Sequence, residues 1–210
     1  MESHELYHNA NAVPFKNLCN LLEKIESTIG KVAKGDLLIK TVKLWGLDGQ
    51  SLWPILRLVL PGSDNHRNDY NITDRSLAGW YVETLSLKPE EERLTKWIKF
   101  KLQGEPMIFG KCVEKAINKA YFGKDRLYND KFTVGDANAL LDRLSPRLHY
   151  KEFFGPKAGG IKTKKEIIQE MVSGRVNLSP QAHRWICGII LAASGTTISS
   201  LGGRSSRHRH

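Results

Sequence analysis

Apolar residues recur at helical spacing along almost the whole chain, and this spacing is the feature that most limits the fold. No segment alternates apolar and polar residues long enough to predict a β-strand. The pattern predicts an all-α domain of about nine or more helices, with the longest irregular stretches at residues 61–72 and 145–162. The first helix, entered after Pro14, carries its apolar residues on one face: Phe15, Leu18, Cys19, Leu22 and Ile25.

Proline and capping residues predict where several helices begin. A proline needs no N–H partner in a first turn, and a hydroxyl or carboxylate side chain can accept from an N–H group there. The starts predicted in this way are Pro89, Thr133-x-x-Asp136, Thr163-x-x-Glu166 and Ser179-Pro180. After Leu191 the sequence changes to Ala, Ser, Gly and Thr and ends in GGRSSRHRH. We therefore predict a flexible N-terminus over 1–12, a helical domain over 13–191 and a divergent, disordered tail over 192–210.

The composition argues against a secreted, disulfide-linked or membrane-spanning protein. The three cysteines are too few and too far apart for a disulfide framework or a metal site. The N-terminal residues lack the basic start and apolar run of a secretory signal. The longest apolar stretch, residues 185–193, is less than half of the ~20 residues that a membrane span needs. The sequence thus predicts a soluble intracellular protein with no membrane association.

The sequence offers no motif for catalysis in a fitting context. It contains no G-x-x-x-x-G-K-[ST], G-x-G-x-x-G or G-x-S-x-G pattern. Its one H-E-x-x-H match, residues 4–8, lies ahead of the first predicted helix, whereas this motif binds zinc from one face of a helix. The seven histidines are scattered, and we predict His149 and His183 as surface or half-buried side chains rather than metal ligands. We therefore predict no catalytic, cofactor-binding or metal-binding residue in this chain.

The charge points to a polyanionic partner. With 32 Lys+Arg against 22 Asp+Glu, the formal net charge is +10. Lysine and arginine neutralise phosphates and release condensed counterions, so a basic domain favours nucleic acid. Charge alone is equally consistent with a protein that binds nucleic acid and with one that binds no acidic partner.

Two basic, glycine-containing loops are candidate phosphate sites. In GPKAGGIKTKK a helix start combines Gly160, Lys162, Thr163, Lys164 and Lys165. A helix N-terminus with N–H groups, a hydroxyl and lysines can bind phosphate without reading a base. A solvated, charged helix start explains the same residues equally well.

The second basic loop holds Lys31 and Lys34 beside Gly30 and Gly35. Two such loops predict contact with a duplex backbone if the fold brings them to one face. Between the loops, Asp64, Arg67 and Tyr70 follow an apolar helix at steps of three. We interpret these three residues as polar side chains that interlock within a structural loop.

Several sequence blocks occur in a fixed order across residues 13–191. They are V-P-F-x-x-L-C from Val13, Trp45, L-R-L-V-L-P with Asp64, Arg67, Tyr70 and Ile72 behind it, Leu77 with Tyr81 and Glu83, L-x-x-W from Leu94, F-T-V-x-x-A-N from Phe132, and L-S-P from Leu178 with Arg184 and Trp185. Together they resemble the N-terminal DNA-binding domain of eukaryotic ATP-dependent DNA ligases, most closely that of DNA ligase IV.

The resemblance implies an all-helical domain that grips duplex DNA with little sequence preference, as a monomer in the nucleus, during DNA repair and recombination by non-homologous end joining. It assigns DNA contacts to Lys31 and Lys34 and to the helix start at Thr163, Lys164 and Lys165. In the family, a basic turn after the last matched helix also touches DNA. Here that turn carries no lysine or arginine before Arg204, and Gly195 and Thr196 offer N–H and hydroxyl donors instead.

The catalytic core of a ligase is not part of this resemblance. Its Lys-x-Asp-Gly signature supplies the lysine nucleophile, and Asp48-Gly49 here follows Gly46-Leu47. The resemblance implies a fragment that is inactive alone, with ATP and Mg²⁺ expected only for a full-length ligase. The alternative is a scaffold that docks an end-processing nuclease of the Artemis type on its first helices. Residues bordering that region are more polar than an apolar peptide groove favours: Asn17, Thr41 and Asp48.

Overall fold

A computed structural model describes residues 6–67, 70–88, 94, 106–121, 128–145, 163–173 and 176–193. Within these ranges the chain forms eight α-helices, two short 3-10 helices and no strand. The 3-10 helices span Ala10–Ala12 and Pro61–Ser63. The α-helices are α1 Phe15–Ser27, α2 Lys31–Leu44, α3 Trp53–Val59, α4 Asp74–Thr84, α5 Pro106–Ala120, α6 Val134–Leu144, α7 Lys164–Val172 and α8 Pro180–Ala193.

The predicted all-α class is confirmed, whereas the predicted count of nine or more helices is slightly too high for the described residues. The helix predicted to start at Pro89 lies outside them, apart from Leu94, which is helical and 1% exposed. Of the tail predicted from residue 192, the described part continues α8 to Ala193. The domain boundaries themselves stay predictions.

Two of the predicted helix starts, at Thr133 and Thr163, are confirmed by reciprocal capping. The start predicted at Ser179-Pro180 is also confirmed, since α8 begins at Pro180, whereas Pro89 lies outside the described residues. Thr133 Oγ1 accepts from the N–H of Asp136 at 3.2 Å, and the Asp136 carboxylate accepts from the N–H of Thr133 at 2.9 Å. Thr163 and Glu166 form the same box at the start of α7. Each box satisfies two N–H groups that lack an intrahelical acceptor, so short polar motifs fix where α6 and α7 begin.

The centre of the core is the pair formed by α5 and α8. Helix α8 is buried on nearly every side, because its sequence is apolar around most of its circumference. Gly110 on α5 lies against the backbone of α8, where an ideal Cβ would meet the Arg184 carbonyl oxygen at 2.6 Å. The side chain of Arg184 extends to Glu23 and Glu26 and thereby joins α8 to α1.

The entry into α1 lies beside the entry into α6. Pro14 and Thr133 form an isolated antiparallel bridge. On either side of it, Phe15 donates from its N–H to the Phe132 carbonyl at 2.8 Å, and Val134 donates to the Val13 carbonyl at 2.8 Å. The rings of Phe15 and Phe132 meet edge to face, with centroids 5.7 Å apart. Distant parts of the chain are therefore paired at the base of α1.

A polar network fastens the loop after α3 to α6. Arg67, which is 1% exposed, donates to Asp142 Oδ1 at 2.6 Å, to Asn138 Oδ1 at 2.8 Å and to the Asn138 carbonyl at 2.9 Å. Arg57 on α3 donates to Asp64 Oδ2 at 2.6 Å and to Asp142 Oδ1 at 2.8 Å. The structural role predicted for this stretch is confirmed, although most partners lie on neighbouring helices rather than within the loop.

The network makes the stability of the fold depend on pH. Burial alone raises the pKa of Asp64, but hydrogen bonds from Arg57 and from the His66 N–H outweigh burial and hold that pKa below its usual range. Asp64 therefore stabilises the fold fully above its unfolded pKa of about 3.9, and the contribution is lost as pH falls through the lower folded value.

We expect the free energy of unfolding, measured by urea titration, to fall between pH 7 and pH 3. The Asp64→Asn variant, which carries no titrating group at this position, should show a smaller fall. An equal pH dependence in both proteins would exclude Asp64 as a source of acid sensitivity.

His183 departs from its predicted surface or half-buried position. It is 1% exposed, and its Nδ1 lies 2.9 Å from the Tyr81 hydroxyl, which also accepts from Cys187 Sγ at 3.3 Å. Burial raises the pKa of the Cys187 thiol to about 12. The histidine is buried because α8, on which it lies, is enclosed by other helices. The other histidine, His149, lies outside the described residues.

Candidate nucleic-acid interface

The start of α7 brings together three of the residues predicted to contact DNA. Thr163 is exposed and caps the helix, while Lys164 and Lys165 are half-buried in its first turn. The Lys164 ammonium donates to the Tyr70 carbonyl at 2.5 Å, which ties the helix start to the end of the 61–72 loop. The Lys165 ammonium lies 2.8 Å from Glu83 Oε2 on α4. The two neighbouring lysines therefore have different surroundings.

The electrostatics of this helix start are mixed. The first turn of a helix presents backbone N–H groups and a partial positive charge, which favour an anion. Glu166 already places a carboxylate there, since it accepts from the Thr163 N–H at 2.5 Å and from the Thr163 hydroxyl at 2.9 Å. A phosphate at this site would meet lysine ammonium groups beside two carboxylates, those of Glu166 and Glu83, while the Thr163 hydroxyl already donates to Glu166.

The second predicted loop opens α2. Gly30 precedes the helix with φ of +90°, a conformation that glycine adopts with little strain, and Lys31 and Lys34 follow in the first turn. Lys31 is exposed and Lys34 is half-buried. The loop therefore presents at least one exposed cation next to a helix N-terminus.

The main contacts between the described helices do not join the two loops directly. Helix α7 packs on α4 and α6, whereas α2 packs on α1, which in turn contacts α6. The structure thus brings Thr163, Lys164 and Lys165 together with α4, and it leaves Lys31 and Lys34 on a different pair of helices. The remaining predicted DNA contacts lie outside the described residues: Gly160, Lys162, Gly195 and Thr196.

Residues before α1 lie across the region that a scaffold would use for docking. The Tyr7 hydroxyl accepts from Asn17 Nδ2 at 2.8 Å, and the Tyr7 N–H donates to the Trp45 carbonyl at 3.0 Å. Leu6 lies so close to Gly46 that an ideal Cβ there would be 2.8 Å from Leu6 Cδ2. Asn17, which borders the docking region, is therefore already engaged by the chain itself.

Sequence reasoning missed Glu83 and the Tyr70 carbonyl as partners of the two lysines. Glu83 belongs to one of the sequence blocks that carry the resemblance, but nothing in the local sequence indicates that α4 and α7 are neighbours. The described residues contain no group of three or more His, Cys, Asp or Glu side chains that could hold a metal ion. In the same part of the chain, no helix is both long and apolar enough to cross a membrane.

Comparison with known proteins identifies the domain. The model of a family described as DNA ligase N terminus matches residues 14–198. The chain belongs to this DNA ligase N-terminal family. The match covers every described α-helix, including the starts of both α2 and α7, so the candidate interface lies within the DNA ligase N-terminal domain.

Curated relatives of this DNA ligase N-terminal domain carry the name DNA ligase 4. The protein from Dictyostelium discoideum is 30% identical over 192 residues, which cover 88% of this chain and 16% of that protein. The protein from Coprinopsis cinerea is 25% identical, with 87% and 17% covered. The protein from Homo sapiens is 26% identical over 148 residues, with 65% and 16% covered. The chain therefore spans less than a fifth of the length of these relatives.

Proposed function

We propose that this domain binds duplex DNA with little sequence preference, as the N-terminal module of a DNA ligase 4-like enzyme that acts in non-homologous end joining. The observation that carries the proposal is the family match over residues 14–198, together with relatives named DNA ligase 4. The net charge of +10 supports a phosphate-rich partner. Lysines at two helix starts supply contacts that position a backbone without reading bases.

The contacts at α7 suggest a division of roles between its two lysines. Lys164 points its ammonium at the Tyr70 carbonyl, so its proposed role is to hold the 61–72 loop against α7. Lys165 has a side chain that is 43% exposed and pairs with an exposed carboxylate. Exposed ion pairs are weak and screened by salt, so Lys165 is the lysine that a phosphate can reach. Lys31 is the corresponding exposed cation at the start of α2.

Salt dependence gives the sharpest test of this function. We expect fluorescence anisotropy with two unrelated nicked duplexes to show similar affinities that fall steeply as salt rises. The Lys165→Ala and Lys31→Ala variants should weaken binding about equally for both sequences. Each should also reduce the slope of log K against log salt by up to about one, because one phosphate contact is lost.

Lys115→Ala is the matched control, since Lys115 is an exposed lysine on α5, outside both loops. It removes the same charge and should leave the salt slope close to that of the unmodified chain. Absence of binding at low salt, or binding that does not respond to salt, would contradict the proposed function. If all three variants lost affinity equally, net charge would determine DNA affinity, and the two loops would not be specific contact sites.

Nick sealing, and the ATP and Mg²⁺ that it needs, are proposed for a catalytic core in a full-length ligase, because this chain has no Lys-x-Asp-Gly sequence. A ligation assay on the isolated chain with ATP, Mg²⁺ and a nicked duplex should therefore yield no sealed product. Location in the nucleus and a monomeric state are further parts of the proposal, and sedimentation of the purified chain tests the second.

Docking of an end-processing nuclease is the second candidate function. Exposed apolar side chains just before α2 and along it favour this function: Ile29 is 92% exposed, Val32 78% and Ile39 56%. The contacts of Tyr7 with Asn17 and Trp45 argue against it, since a partner on that side would have to displace Leu6 and Tyr7. A pull-down with a tryptophan-containing nuclease peptide, compared between the chain and its Ile39→Ser variant, distinguishes scaffold from DNA module.

A further inference from the structure

We propose that Glu83 competes with DNA for Lys165 and thereby weakens the grip of the domain on the phosphate backbone. This inference rests on the proposed function, because it names a residue that sets the affinity of the same site. Glu83 was assigned no role in DNA binding by the sequence pattern. Among the described residues, its place on α4 makes Glu83 the carboxylate that pairs with the lysine that a phosphate can reach.

The geometry holds the Glu83 carboxylate at the candidate interface. Its Oε2 lies 2.8 Å from Lys165 Nζ, and its Oε1 accepts from Gln169 Nε2 at 3.4 Å. Lys165 and Gln169 are four residues apart on α7, so their side chains share one face of the helix. Two donors on successive turns therefore keep one acid of α4 in front of the first turn of α7.

The exposure of the pair makes the exchange feasible. The side chains of Lys165 and Glu83 are 43% and 56% exposed, so water and salt screen their attraction. An incoming phosphate can displace the carboxylate from Lys165, but Glu83 remains attached to α4 close by. The displaced carboxylate then repels the phosphate and recruits a cation from solution. Both effects oppose binding, and the second offsets part of the counterion release from DNA.

A purely structural ion pair would behave differently. If the contact served only to hold α4 against α7, removing the carboxylate would lower stability and leave DNA affinity unchanged or reduced. The buried side chains of α7 already anchor that helix: Ile167, Ile168, Met171 and Val172. Loss of one exposed ion pair therefore has little effect on folding, so a change in DNA affinity is not caused by partial unfolding of the variant.

Glu83→Gln is the decisive variant, because it removes the charge and keeps a similar shape and hydrogen-bonding capacity. We expect it to raise DNA affinity at low salt about two- to fivefold, the range that an exposed ion pair spans. We also expect a steeper slope of log K against log salt. Glu83→Ala removes the same charge without an amide and should act in the same direction. Thermal melting of each variant checks that it is folded.

Two comparisons isolate the competition. Asp48→Asn removes a carboxylate from the loop after α2, outside α4 and α7, and reports the effect of net charge alone. In a Lys165→Ala background, Glu83→Gln should no longer raise affinity beyond that charge effect. The inference is overturned if Glu83→Gln gives no gain, gives the same gain as Asp48→Asn, or keeps its full gain without Lys165.

The outcomes also separate this inference from the function on which it rests. If the unmodified chain binds DNA in a salt-dependent manner and Glu83→Gln does not tighten binding, only the competition proposal is lost. If neither the chain nor its Glu83→Gln variant binds duplex DNA at low salt, the proposed function is lost and the inference with it.

Discussion

Replacing Arg67 with methionine should lower the free energy of unfolding by about 2–4 kcal/mol, because each buried acceptor left without its donor costs about 1–3 kcal/mol. The guanidinium group is 1% exposed and makes three hydrogen bonds to Asp142 and Asn138. Methionine fills much of the volume but leaves the Asn138 side chain and carbonyl without these donors. Urea denaturation followed by circular dichroism measures the change.

Lys111→Met is the matched control for this effect. Lys111 pairs with Glu26 at 2.8 Å, but its side chain is 50% exposed. Exposed pairs contribute up to about 1 kcal/mol, so the control should change stability far less than the Arg67 variant. Equal losses in the two proteins would mean that the network around Arg67 is not a main source of stability in this domain.

The second large effect concerns Gly110, where exchange for alanine should lower the free energy of unfolding by about 1–3 kcal/mol, the range for overpacked cores. Alanine is the better helix former. The added Cβ would nevertheless meet the Arg184 carbonyl oxygen at 2.6 Å, a contact with backbone that no rotamer change can relieve. Helices α5 and α8 would have to move apart, and their interface is the centre of the core.

The same exchange at Gly79 should have the opposite sign. Gly79 lies within α4, and no atom lies within 4 Å of its ideal Cβ beyond its own helix and neighbours. Alanine there should raise stability by about 0.5–1 kcal/mol, because the unfolded chain loses conformational freedom. Thermal melts of the two variants should move in opposite directions. A loss at both positions would point to a general intolerance of α-helical glycine exchange.

Periodicity predicted the helices because the spacing of apolar residues along one helix is a local signal. In α1, each apolar residue of the predicted stripe is buried, and the capping boxes at Thr133 and Thr163 are formed as expected. Helix α2 shows the limit of this reasoning. The spacing of Leu38, Val42 and Trp45 predicts one inward face. In the structure Val42 is buried, while Leu38 and Trp45 are only half-buried. The sequence predicts that a helix forms but not how much of it its neighbours cover.

The lysines of the candidate site were predicted from the sequence, whereas the acceptors that contact them were missed. Lys164 and Lys165 stood out because glycines and a capping threonine precede them. Glu83 and the Tyr70 carbonyl did not, because they meet α7 only through packing of distant parts of the chain. The identity of a lysine's partner depends on which helices become neighbours, and local spacing carries no information about that choice. The same limit applied to Arg67, whose partners lie on α6.

The pairing of Val13, Pro14 and Phe15 with residues 132–134 bears on how the domain comes to fold. During synthesis the first helix leaves the ribosome long before its partner segment exists, so the N-terminal part cannot complete its contacts as it emerges. A contact between such distant positions also carries a large loop-closure entropy and raises contact order. We therefore expect the folding of α1 to be coupled to the arrival of α6, so that the domain folds as one cooperative unit rather than helix by helix.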